Sequence, residues 1–73
     1  MIAEKDKYYI NNDKSLIVKA YRSSNSVTFT GYVVETNDSS YKLGDFSQCF
    51  NGDIFTEHVG YSENNNSELF PIY

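Results

Sequence analysis

The 73-residue chain has one cysteine, one histidine, one proline and no tryptophan, and each scarcity closes off something. Cys49 has no second cysteine with which to form an internal disulfide. A structural zinc site takes about four Cys or His ligands, and Cys49 and His58 are the only two. No apolar run approaches the roughly 20 residues of a membrane span. Met1-Ile2-Ala3-Glu4-Lys5-Asp6-Lys7 lacks the apolar stretch of a signal peptide. The lone thiol suits a reducing cytoplasm. Without a leader, the acceptor patterns at Asn37-Asp38-Ser39 and Asn65-Asn66-Ser67 read as polar loops.

Aromatic residues are plentiful. Seven tyrosines and five phenylalanines make up 16% of the chain, more than a core of this size easily hides. Some of the tyrosines are therefore expected at the surface or in an interface, where they supply contact area at little entropic cost. The length allows one domain, residues 1–73, whose core is worth only about a few kcal/mol net.

Charge is divided along the chain. Residues 1–34 hold Lys5, Lys7, Lys14, Lys19 and Arg22 against Glu4, Asp6 and Asp13, a balance of +2. Residues 35–73 hold seven acids, namely Glu35, Asp38, Asp45, Asp53, Glu57, Glu63 and Glu68, against Lys42 alone, a balance of −6. An acidic half on a small body favours a basic partner.

Period-two alternation dominates. Lys7–Ile10 is β-prone and stops at the turn signal Asn11-Asn12-Asp13. In Ser15–Arg22, Leu16, Val18 and Ala20 share one face and Ile17, Lys19 and Tyr21 the other. Val27–Thr36 is rich in β-branched and aromatic residues. Gly31 in its middle marks either a bulge or sharp bend, or a place where a neighbouring aromatic lies over bare backbone. Tyr41-Lys42-Leu43 reads as a short strand. The spacing of Phe46 and Phe50, with Cys49 between, predicts one helical turn capped by Ser47. Asp53–Val59 reads as another short strand and Ser62–Ser67 as a polar loop. Leu69–Tyr73 reads as an edge strand, because Pro71 lacks an amide hydrogen. The expected fold is mainly β: a small antiparallel sheet or a partly open SH3/OB-like barrel with at most one helical turn.

The segment Tyr41-Lys42-Leu43-Gly44-Asp45-Phe46-Ser47, followed by Phe50 and Phe55, resembles a pattern in short uncharacterised proteins of bacteriophages and mobile elements. There a β-hairpin leads into a tyrosine-x-x-glycine segment, a serine and two spaced aromatics. The likeness spans roughly residues 27–55, and Phe50 stands where the pattern has a tryptophan. It implies a phage-like origin, hence a host cytoplasm, and no catalytic residue.

Catalytic constellations are scarce. Cys49 and His58 are the only nucleophile–base pair available. Between two phenylalanines in an acidic stretch, Cys49 is expected to be buried and inert, and His58, beside Glu57, exposed or at an edge. Asp45, Asp53 and Glu57 are spaced unlike a calcium loop and read as a solvated acidic face. Paired carboxylates for glycoside cleavage have little wall around which to build a sugar cleft. No enzyme, metal or cofactor is expected.

The leading expectation is a protein-binding module whose partner is basic. Asp45, Asp53, Glu57 and Glu63 would steer the encounter, and Tyr41, Phe46 and Tyr61 would anchor it. In a phage setting the partner would be a basic host-defence protein such as a CRISPR effector, and the chain its inhibitor. The alternatives are a nucleotide or single-stranded nucleic-acid module that uses exposed tyrosines, against which the net charge of −4 weighs because phosphate contact needs a basic stripe, and a self-assembling subunit paired through Leu69–Tyr73.

Overall fold

Leu16, Val18 and Ala20 are all buried, so the alternation in the second apolar run decides which side of the sheet becomes the core. A computed structural model describes residues 3–23 and 26–61. The strands are β1 (Tyr8–Asn11), β2 (Leu16–Ser23), β3 (Thr28–Thr36), β4 (Phe46–Asn51) and β5 (Phe55–Glu57), with a single 3-10 turn at Gly52–Ile54. They form one open antiparallel sheet in the order β4-β3-β2-β1-β5. β1 to β4 are a meander, so the Greek-key path of an OB fold is absent among the described residues.

The sheet coils on itself. β4 and β5 are its opposite edges, yet Phe50 and Phe55 meet at 5.8 Å between ring centroids. Both pack on Phe29, at 5.5 and 5.3 Å, and Tyr9 reaches Phe29 at 5.4 Å. With Leu16, Val18, Ala20 and Val33 these rings are the main core. Full burial of each large side chain contributes about 1.5–3 kcal/mol. The link between the edges is short because Asn51 caps it, its side chain accepting from the Asp53 amide.

Local signals explain the first hairpin. Asn11 Oδ1 accepts from the Ser15 and Leu16 amides. Lys14, at φ 57°, occupies the left-handed position that completes a type I turn. At Gly31 the bulge reading holds, while what lies against the bare backbone is the neighbouring strand's own main chain and not an aromatic ring. Register shifts fall between Ala20 and Arg22 and between Phe29 and Gly31. A Cβ on Gly31 would also lie 2.5 Å from the Lys19 carbonyl oxygen.

The outer face carries a second, smaller cluster. Ile17 is covered by Tyr61, with Tyr8, Ile10 and Val34 packed around them. After β5 the chain turns at Gly60 (φ 86°). The Tyr61 hydroxyl donates to the Glu35 carboxylate, and the Tyr61 ring meets Tyr8 at 4.9 Å.

Three local expectations are corrected. Phe46–Phe50 is strand, not helix, because its backbone pairs with β3. Ser47 Oγ caps no helix and instead accepts from the Cys49 amide two residues on. Tyr41-Lys42-Leu43 forms no strand: Asp45 ties the Lys42 amide back and Gly44 (φ 87°) turns the chain. The strand read at Asp53–Val59 is a 3-10 turn followed by three residues of β5. The polar loop at Ser62–Ser67 and the edge strand at Leu69–Tyr73 lie outside the described residues. No helix among the described residues is long and apolar enough to cross a membrane.

Candidate functional site

Of the seven residues expected to form one contact surface, the six that are described do not come together. Tyr61 is buried over Ile17 with its hydroxyl bonded to Glu35, so it stiffens the outer face and cannot anchor a partner as expected. Phe46 is 61% exposed on β4. It pairs directly with Tyr32 and so points to the outer side. Tyr41 lies on the core side, 6.5 Å from the Phe50 ring. Asp45 is used locally, accepting from the Lys42 amide. Asp53 sits exposed on the 3-10 turn. Glu57 forms an ion pair with Lys7 at 3.5 Å. Glu63 lies outside the described residues.

The described acids of the second half therefore do not share one flank. Glu35 is bonded beneath the outer face, Glu57 is paired with a cation from the basic half, and Asp38 accepts from the Ser40 amide. Lys7 is held above the ordinary lysine range, first by its hydrogen bond to Glu4 and then by the charges of Glu4 and Glu57. The Glu4 contact measures 3.3 Å.

Two features stand out instead. The first is a groove of about 290 Å³ at the end of the sheet where the two edges approach each other. Its apolar wall is Leu16, Phe50 and Phe55, with the more exposed Tyr41 and Ile54 at the opening. Asp13, from the β1–β2 turn, and Asp38, from the end of β3, also line it. The fold builds this from short-range signals. Asn11 orders the turn that carries Asp13, and Thr36 Oγ1 accepts from the Asp38 amide and donates to the Asp38 carbonyl. Apolar walls with a few placed charges are what a site needs to take an apolar side chain next to a cation.

Cys49 also lines this groove and is exposed, correcting the expectation of a buried thiol. An extra residue on β4 opposite Phe29–Gly31 lifts Ser47–Cys49 out of simple alternation. His58 is half-buried on the other side of the sheet, its ring 5.4 Å from Tyr61. The two residues thus belong to opposite faces and form no nucleophile–base pair. Among the described residues no three His, Cys, Asp or Glu side chains converge as a metal site.

The second feature is a ladder across the outer face. Tyr8 pairs with Lys19, Lys19 with Tyr32, and Tyr32 with Phe46. Directly paired residues point to the same side, so four strands contribute one row of three rings and a cation. The Lys19 ammonium lies 5.7 Å from the Tyr8 ring centroid, and Lys5 lies 5.6 Å from that of Tyr21. Asp13, Asp38, Tyr8, Lys19 and Tyr32 went unseen as site residues because strand register, not local spacing, brings them together. No known family, curated protein or solved structure matches the chain.

Proposed function

We propose that this chain is a non-enzymatic protein-binding module that captures an extended, basic segment of a partner in the groove between β4 and the β1–β2 turn. One observation carries the reading: an aromatic wall of Phe50, Phe55 and Tyr41 shares a single cavity with Asp13 and Asp38. The wall favours an apolar side chain, and the carboxylates favour a neighbouring Lys or Arg. Leu43, two residues after the groove-lining Tyr41 in the chain, is 70% exposed in the β3–β4 turn. The basic partner expected from composition is thus retained, but with a different set of residues. Inhibition of a basic host-defence protein, a CRISPR effector for example, is the narrower form of this proposal. It rests on the phage-like resemblance of residues 27–55.

The edge of β4, the last strand of the sheet among the described residues, is a poorer docking element. Its bulge and the Ser47–Cys49 contact disturb the row of amides that an added strand would need. The test is a calorimetric titration with a short peptide alternating arginine and leucine. Binding is expected to weaken as salt rises and to fall several-fold in Asp13→Asn and in Ile54→Ser. Equal affinity in both variants and at both salt extremes would reject the groove.

A further inference from the structure

Beyond the groove, we propose that the outer face of the sheet binds single-stranded nucleic acid, along the row Tyr8, Lys19, Tyr32 and Phe46. Neighbouring strands stand about 4.8 Å apart. Tyr32 and Phe46 therefore offer adjacent rings, and Tyr8, two strands away across Lys19, closes the row while packed against Tyr61 and beneath the Lys19 ammonium. Rings set across a sheet give successive bases a stacking surface that does not depend on sequence. Phe46 is the most open of them at 61%.

The cations fall where a backbone would need them. Lys19 stands inside the row. Arg22, paired with Thr30, lies exposed in the next row, and Lys5 lies over the Tyr21 ring. Some of the acids lie elsewhere: Asp13 and Asp38 line the groove and Glu57 lies opposite Tyr9 on the core side. Glu35, on the outer side, is bonded to Tyr61, Glu4 is paired with Lys7, and Asp6 and Asp45 stand next to Lys5 and Phe46 in the chain. The net charge of −4 thus leaves room for a locally basic strip made by the chain's first half. A protein partner is the weaker fit, because the row is a ladder of rings around a charge across the outer face of a coiled sheet and not a pocket for an anchor side chain.

The experiment is fluorescence anisotropy of labelled oligothymidylate and oligouridylate with the full chain. Three phosphate-neutralising cations give a slope of log affinity against log salt of about −2. Phe46→Ala and Tyr32→Ala are each expected to weaken binding about five- to 150-fold. Tyr32→Phe keeps the ring and the affinity, and Lys19→Gln flattens the salt slope by about 0.7. Phe46 is exposed, so its alanine variant keeps the fold even if Tyr32→Ala does not. Ile54→Ser in the groove leaves oligonucleotide binding unchanged, which separates this face from the peptide site. No anisotropy change at about 10 mM salt would overturn the proposal. So would full affinity in Phe46→Ala, or a Phe46-dependent interaction with a peptide where oligonucleotides are silent.

Discussion

Replacing Gly31 with alanine tests the fold where it is tightest. The new methyl carbon would sit 2.5 Å from the Lys19 carbonyl oxygen and 3.3 Å from the Ala20 Cα, where ordinary contact begins at 3.4 Å. The first gap must open by about 0.9 Å, the difference between 3.4 and 2.5. Neither side yields easily, because the obstructing atom is backbone. Lys19 is held by Tyr8 on one side and Tyr32 on the other, and Gly31 by Ala20 and Ser47. Overfilling a packed site costs about 1–3 kcal/mol, and a backbone obstacle places Gly31→Ala near the upper end. With a urea slope near 1 kcal/mol/M for so short a chain, the midpoint falls by about 2–3 M. Circular dichroism during urea unfolding reads this directly. A variant within about 0.5 kcal/mol of the parent would refute the close approach of β2 and β3, and with it the register of the outer row.

Three further outcomes follow from single contacts. Tyr61→Phe keeps the ring over Ile17 but removes its hydroxyl bond to Glu35. It is expected to cost about 1 kcal/mol, and the loss should vanish in a Glu35→Ala background, which removes the acceptor, if the pair is real. Lys7, raised by Glu4 and Glu57, should titrate above the ordinary 10.5. A raised folded value means that its stabilisation is fully present below 10.5 and is lost as pH climbs through the higher folded value. Amine-proton NMR across that alkaline range, repeated in high salt, checks the sign and the screening. Cys49, exposed on β4, should react fully with an aromatic disulfide reagent in the native protein; a thiol that reacts only after denaturation would contradict its placement.

The first three strands were legible because β2 and β3 are rich in β-branched and aromatic residues with a recognisable two-residue alternation, even though bulges interrupt it, and because Asn11-Asn12-Asp13 is a strong turn. Alternation failed at β4. The four-residue spacing of Phe46 and Phe50 suits a helical turn, but a strand with one extra residue also accommodates it, sending Phe46 outward and Phe50 inward. Only pairing with β3 separates the two. The Tyr41–Leu43 run lost to turn chemistry at Gly44 and Asp45. The charge split failed for a topological reason. β5, from the acidic half, returns to pair with β1, from the basic half, so Glu57 meets Lys7 instead of joining an acidic flank. The groove and the outer row were invisible for the same reason, since their members are neighbours only across strands.

The groove is tested most directly by amide chemical-shift mapping during titration with the arginine–leucine peptide. Shifts concentrated at Asp13, Asp38, Ser47, Asn51 and Ile54, and shrinking as salt is raised, are the predicted result. Shifts that spare these amides, or that are unmoved by salt, would contradict it.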